Sequence, residues 1–403
     1  MQLAANTPYT QLIITVSALS CRLLFDLTAL AKENKSGTQF SLPRQFLKWL
    51  SGGYMTVVKN GTSAQFGTLG SNITAANEIR QAESRGKHWA IVLAGGRGER
   101  MREAINDWLG SYRPKQFCRF FGEHSMLEYT WERARQLVGS ANIVTVSVAD
   151  QAMYFDELNS NTIPGTVLYQ PEHNGTAAAV YLALAHILAL DPDASVIIMP
   201  SDHFIFPEER FVVLAAQALA YAATDPEHLI LLGAEARWPN PDFGWIESVV
   251  ELSGSEPTEV TPLQPVMAFF EKPDNHQARR LFSNNALWST MIIAAKGELL
   301  WQLARALHPK FFHCFLYLHR LTLEVRFSCM QKEAVDKAIS DTFKYMPELD
   351  FSKDVLQNAT QQCRVMPMTD IDWDDWGRPE RILQSIERYG LDSWLNEAGR
   401  RMC

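Results

Sequence analysis

From Trp89 onward, short apolar runs alternate with longer amphipathic stretches, and this alternation constrains the fold more than any other feature of the sequence. The runs read "AIVLAGG", "NIVTVSVA", "TVLYQP", "SVIIMPSD" and "LILLGAE". Between them lie "SMLEYTWERARQLV", "GTAAAVYLALAHILAL" and "EERFVVLAAQALAYA", whose apolar residues recur at three and four. Strand and helix in repeated alternation predict crossover units: a Rossmann-like α/β fold with a mostly parallel sheet and helices on both faces. In such sheets ligands bind beyond the carboxyl ends of the strands. The polar clusters "GGRGER", "QPEHNGT", "PSDH" and "FEKPD" each follow an apolar run, where a site would form.

The first of these clusters has the composition of an anion-binding turn. Gly95, Gly96 and Gly98 would let backbone N–H groups approach an anion, and the helix start behind them would add positive potential. It is not a dinucleotide fingerprint, because Met101 occupies the position of the last glycine, and no GxxxxGK[ST] sequence is present. A glycine turn that merely closes a strand is the plain structural alternative for this motif taken alone.

Composition removes several classes. With 403 residues, 47% of them hydrophobic, the chain can bury a large core. Its formal net charge of -8 argues against a surface that coats nucleic acid, so any phosphate should sit in a local pocket. The cysteines at 21, 118, 314, 329, 363 and 403 show no metal-ligand spacing and suggest reduced thiols in a cytoplasmic protein. The stretch "LIITVSALSC" at 12–21 has no preceding Lys or Arg and is interrupted by Arg22 and Asp26, so it reads as neither signal peptide nor membrane span.

Residues 1–87 differ from the rest. Within 1–60, Arg22, Lys32, Lys35, Arg44, Lys48 and Lys59 face only Asp26 and Glu33, and "SGGYMTVVKNGTSAQFGTLGSN" from 51 is rich in linker residues. A poorly packed extension is expected over 1–87, with Met55 a candidate start, followed by one catalytic domain over 88–385. A short helical tail is expected over 386–403.

Taken in order, "GGRGER", "RPKQF" (113–117), "QPEHNGTAAA" (170–179), "PSDH" (200–203), "FGWIE" (243–247), "FEKPD" (270–274), "ALWSTMII" (286–293) and "DWDDWG" (372–377) resemble the motif series of the sugar-1-phosphate nucleotidyltransferases, most closely the mannose-1-phosphate guanylyltransferases. The resemblance covers about 88–385. It implies transfer of a guanylyl group from GTP to mannose 1-phosphate, with a homodimer as a family-level expectation and neither nucleic acid nor membrane as partner. Another hexose 1-phosphate or another nucleoside triphosphate stays open, as does a binding homologue without activity.

Such a reaction joins two polyanions, so cations and a metal are the expected catalysts. By resemblance, Arg100 and Lys115 meet the triphosphate beside Leu93, Gly95, Gly96 and Gly98, while Gln170, Gly175 and Thr176 face the nucleotide. Asp202 and Asp375 would share one Mg²⁺, an oxygen-seeking cation, with Asp374 the neighbouring register. Glu247 and Ser289 are expected on the sugar and Lys272 on its phosphate. Because the attacking phosphate is already anionic, His203 is expected to be structural rather than a general base.

The chain departs from the family pattern at four places. Glu99 puts a negative charge in the phosphate turn and requires a compensating cation, Arg97 or another. His173 and Asn174 replace the usual Asn-Arg pair, Phe243 stands where Tyr is common, and Ser289 stands where Asn would offer a longer, amide-bearing side chain.

Overall fold

The computed structural model describes residues 87–158, 162–249, 261–327 and 332–393. The expectations for 1–86 and for the end of the tail from 394 lie outside the described residues. Strand β1, His88–Leu93, is buried along its length and pairs in parallel with β2, Ile143–Val148, on one side and β4, Ser195–Pro200, on the other. Covered on both faces, these strands carry continuous rather than alternating apolar sequence. Strand β3, Thr166–Gln170, extends the parallel set beyond β2.

The full order is β3-β2-β1-β4-β9-β6-β10-β8-β7, with β6 at Leu229–Ala234, β7 at Trp245–Ser248, β8 at Gln264–Phe270, β9 at Leu287–Lys296 and β10 at Cys363–Met368. Strand β9 runs antiparallel between β4 and β6, and β8 runs antiparallel to β10 and β7. The sheet is therefore mixed, with β8 and β9 running against the common direction of the other seven strands. The direction in which the first four strands point is the one that positions the site.

Helix α1 spans Arg102–Leu109, α2 Met126–Leu137, α3 Ala152–Asp156, α4 Gly175–Leu190 and α5 Glu208–Thr224. They are followed by α6 (Asn275–Ser283), α7 (Gly297–Leu307), α8 (Pro309–Phe327), α9 (Lys332–Phe343) and α10 (Pro379–Tyr389). Leu127 and Trp131 of α2, Phe211 and Leu214 of α5 and Leu281 of α6 share one core with β1 and β4. On the opposite face α4 lies between the sheet and α7 and α8, in a core that includes Tyr181, Leu300, Phe311 and Phe315. A helix enclosed by layers on both sides needs apolar residues around its whole circumference, and α4 has them.

Two details fix the ends of elements near the site. Helix α2 begins in a capping box: Ser125 Oγ accepts from Glu128 N at 3.3 Å while Ser125 N donates to Glu128 Oε2 at 2.8 Å, satisfying two donors that the helix leaves free. Helix α10 starts with Pro379 in its first turn, where the missing N–H costs nothing. A separate two-stranded sheet joins β5, Phe204–Phe206, to β11, Asp372–Asp374, with Asp374 opposite Phe204. This register brings a segment from the end of the fold to the tip of β4.

Candidate active site

The glycine turn follows β1 and is held by buried side chains. Gln116 Nε2 donates to the carbonyls of Ala94 (2.8 Å) and Gly96 (2.9 Å), and to Gln151 Oε1 at 3.0 Å; Gln151 Nε2 in turn donates to Gly96 O at 3.2 Å. Ser147 Oγ donates to Ala94 O at 3.0 Å. These buried amides occupy the loop's acceptors. Leu93 is tied as well, since its carbonyl accepts from both the N and the Oγ of Ser201. Gly98 takes φ +61 as the chain turns toward α1, a conformation that glycine adopts without steric cost.

Glu99 is neutralised locally. Arg102 meets it with Nε at 3.0 Å and NH2 at 3.2 Å, whereas Arg97 is engaged by Asp150 at 3.4 Å. The compensating cation is Arg102, three residues on along the same helical surface.

Beyond the turn, the charged residues converge. Lys115 has a side chain only 4% exposed; its Nζ lies 2.8 Å from Asp202 Oδ2 and donates to the backbone carbonyl of Asp375. Arg100 NH2 lies 2.8 Å from Asp375 Oδ2. The β5–β11 pairing explains the meeting of distant positions: Asp202 precedes β5 by two residues, and Asp375 follows β11 directly. Asp374 instead turns its Oδ1 to Trp376 N at 2.6 Å and to Arg381 NH1 at 3.1 Å.

The electrostatics follow from these contacts. For Asp375, burial alone would raise the carboxyl, but Lys115, Arg381 and Arg100 overcome it and hold the group down to about 2. Asp202 is likewise held below the usual range: burial opposes ionisation, and Lys115 and His203 outweigh it. In Asp374 burial prevails over Arg381 and, with Asp375 close by, pushes the group up to about 6. Burial takes His203 down to about 4, so its imidazole is neutral near pH 7. The nitrogen facing Asp202 is Nε2, at 3.7 Å from Oδ1.

On the β3 side, Gln170 is 1% exposed and among the described residues its Oε1 has no hydrogen-bond partner, although an amide oxygen in that setting ordinarily has one. It sits beside Gly95, where a Cβ would lie 3.6 Å from Gln170 Nε2. Gly175 opens α4 with φ +81, and a Cβ there would lie 2.1 Å from Leu349 O. Thr176 Oγ1 accepts from Phe351 N at 2.8 Å and lies 3.3 Å from Asp350 Oδ2. Asn174 Nδ2 donates to Phe343 O at 3.2 Å and Met346 O at 3.4 Å. Thr176 and Asn174 thus fasten this loop to the segment after α9.

The residues expected around the sugar do not all meet. Ser289 lies beside Gly244, to whose carbonyl its N donates at 2.8 Å. A Cβ on Gly244 would be 3.1 Å from Ser289 Cβ and 2.7 Å from Glu271 Oε2. Glu247 points to the other face of β7: it is 3.3 Å from Arg280 NH1 and 3.2 Å from Asn284 Nδ2, both on or next to α6. The carboxylate beside Ser289 is therefore Glu271. Burial raises Glu271, and Lys272 Nζ, 3.4 Å away, counteracts it. Lys272 itself takes φ 47 and is 66% exposed, free to turn toward an incoming anion.

Sequence reasoning did not single out Gln151, Glu271 or Arg381. Glu271 lay in plain view within "FEKPD", but strand alternation between β7 and β9 was needed to separate it from Glu247. Arg381 has no signal beyond its place in the first turn of α10.

Residues 89–390 match the nucleotidyl transferase family across most of the chain. The chain belongs to that family. It is 27% identical over 303 residues to the xanthan biosynthesis protein XanB of Xanthomonas campestris pv. campestris, covering 74% of this chain and 60% of that one. It is 28% identical over 218 residues to a mannose-1-phosphate guanylyltransferase of Klebsiella pneumoniae, covering 53% and 44%. The chain thus spans less than two thirds of the length of these relatives. Among solved structures it resembles a mannose-1-phosphate geranyltransferase from Thermus thermophilus at a TM-score of 0.59 and 22% identity, over 74% of this chain and 79% of that one, a likeness of fold. Among the described residues no helix is long and apolar enough to cross a membrane.

Proposed function

We propose that the protein transfers a guanylyl group from GTP to mannose 1-phosphate, giving GDP-mannose and pyrophosphate. The observation that carries this reading is the contact of Lys115 with both Asp202 and the Asp375 backbone, beside Arg100 and the glycine turn. A phosphate oxygen of the sugar phosphate attacks the α-phosphorus, the bond to the bridging oxygen of the β-phosphate breaks, and pyrophosphate leaves. Charge on the transferring group is offset by Arg100, Lys115 and Lys272. Arg100 and Lys115 now rest on carboxylates, so they exchange these partners for phosphate oxygens as the nucleotide binds.

Asp202 and Asp375 fit a divalent cation: both are held ionised, and they are linked through Lys115. Mg²⁺ is an oxygen-seeking cation that retains water and phosphate ligands, so two carboxylates can serve as its protein partners. When bound, Mg²⁺ would neutralise phosphate charge. No proton is removed by His203, which is neutral and has its Nδ1 already occupied. Gln170, with its unpaired Oε1, is assigned to the base. Lys272, Glu271 and Ser289 are assigned to the hexose phosphate.

The short Ser289 side chain beside Glu271 supports a second reading, in which another hexose 1-phosphate is the acceptor. The test is pyrophosphate release by the purified chain with each nucleoside triphosphate and several hexose 1-phosphates, with and without Mg²⁺. GTP with mannose 1-phosphate should be the fastest pair, and Asp202→Ala should abolish turnover in a folded protein. Release that is independent of Mg²⁺, or undiminished in Asp202→Ala, would defeat the proposal.

A further inference from the structure

Helix α10 presents Arg381 and Arg388, two turns apart and hence on one face, to the acidic segment Asp372–Asp375. Arg388 NH1 lies 3.4 Å from Asp372 Oδ2, and Arg237 pairs with the same carboxylate from the other side. Arg381 is different in kind. Its side chain is 9% exposed, its guanidinium is 5.0 Å from the centre of the Phe243 ring, and it straddles two carboxylates: NH1 is 3.1 Å from Asp374 Oδ1 and NH2 is 2.8 Å from Asp375 Oδ1. Among the described residues no guanidinium nitrogen of Arg381 makes an aligned hydrogen bond, so its orientation is set by the pair of carboxylates and the aromatic face.

The two oxygens of Asp375 are consequently not equivalent. Oδ1 is held by Arg381 and by Gly377 N at 3.0 Å. Oδ2 meets only the half-exposed Arg100 among its charged contacts in the described residues. A buried cation beside Asp375 weakens the attraction of that carboxylate for any second cation. Charge alone would therefore make Arg381 a liability at a cation-binding carboxylate. What it can contribute is direction.

We infer that Arg381 is a positioning residue: by fixing Oδ1 it leaves Oδ2 of Asp375, the oxygen beside Arg100, as the one defined oxygen presented to the divalent cation. This rests on the reading of Asp202 and Asp375 given above. Asp374 is the second anchor of the guanidinium, and a planar fork is required to serve both carboxylates. A lysine keeps the charge but supplies a point donor with no plane.

The experiment is Mn²⁺ binding to the nucleotide-free full chain, followed by electron paramagnetic resonance, for the wild type, Arg381→Lys and Arg381→Ala. Positioning predicts that Arg381→Lys weakens Mn²⁺ binding about tenfold, as loss of an outer-shell partner does. Arg381→Ala should weaken it at least as much, although it makes the site more negative. In steady state, Arg381→Lys should lower kcat and leave the KM for hexose phosphate near its wild-type value. Equal binding by Arg381→Lys, or tighter binding by Arg381→Ala, overturns the inference while leaving the proposed function intact. Should Arg381→Ala fail to fold, Arg381→Lys decides alone. Failure of the wild type to bind Mn²⁺ removes the carboxylate pair as a cation site and this inference with it.

Discussion

The indole Nε1 of Trp373 donates to Nδ1 of His203 at 3.1 Å, joining side chains 170 positions apart. This bond fixes the neutral imidazole with its proton on Nε2, toward Asp202. It also pins β11 to the turn after β4, across the site. Trp373→Phe keeps an aromatic ring but loses the indole N–H and part of its volume, leaving Nδ1 without its donor, a loss of about 1–3 kcal/mol for a buried group before the lost packing is counted. Chemical denaturation should read that loss, and an unchanged midpoint would mean that the bond contributes nothing.

His203 also makes a prediction in pH. Its folded value of about 4 lies below the ordinary value of 6.5 because burial disfavours the charged ring. Between these values the unfolded chain binds more protons, so the contribution of His203 is complete above pH 6.5 and is lost as pH falls toward 4, by about 3 kcal/mol in all. Asp374 acts with the opposite sign: raised to about 6, it takes up its proton first in the folded state and stabilises as pH falls from there toward 3.8. Comparison with His203→Asn separates the two. The variant should lose less stability than wild type between pH 6.5 and about 4 in urea titrations; parallel profiles would contradict this.

Glu271, not Glu247, lies beside Gly244 and Ser289, and the proposed sugar contact is tested at both carboxylates. Glu271→Gln should raise the KM for hexose phosphate about tenfold, the cost of a charged hydrogen bond. Glu247→Gln should change it less than about twofold, because its carboxylate is engaged by the exposed Arg280 and Asn284. Kinetics with the reverse ranking would return the sugar contact to Glu247.

Gly175→Ala should be severely destabilising. A methyl group would combine φ +81 with a backbone oxygen 2.1 Å away, and neither carbonyl nor helix can yield cheaply. Strain of this kind costs about 1–3 kcal/mol before the clash is counted. Calorimetry showing a near-wild-type Tm would mean that the loop relaxes freely.

Burial pushes the thiols of Cys118 and Cys363 up to about 12. Neither should react with iodoacetamide near pH 8 while the protein is folded, since the thiolate is the nucleophile. Peptide mass spectrometry before and after denaturation would check this, and rapid native labelling of Cys363 would show that its strand opens.

The first strands were legible as strands because β1, β2 and β4 are covered on both faces and therefore read as unbroken apolar runs; their order in the sheet was not. Helix α4 was delimited from Gly175 to Leu190 for a related reason, but its apolar residues surround the helix instead of forming a stripe. Insertion of β9 against its neighbours was not legible, since a buried run carries no mark of direction. Strands β5 and β11, three residues each, are too short for any period to register, yet they bring Asp202 and Asp375 to the same amine. Glu99 looked like a defect until its partner Arg102 was seen. Glu271, after β8, lies beside Gly244 and Ser289 while Glu247 of β7 turns to Arg280, a distinction that requires knowing which strand lies opposite.

Asn174 hangs from the carbonyls of Phe343 and Met346, residues made some 170 positions after it. The wall beside Gln170 therefore cannot be finished when its own strand emerges from the ribosome. A nascent chain ending before Phe343 can assemble the parallel strands, but its loop dangles without its moorings. Competence arrives late in synthesis, and a truncation before Phe343 would be felt at a loop laid down nearly half a chain earlier.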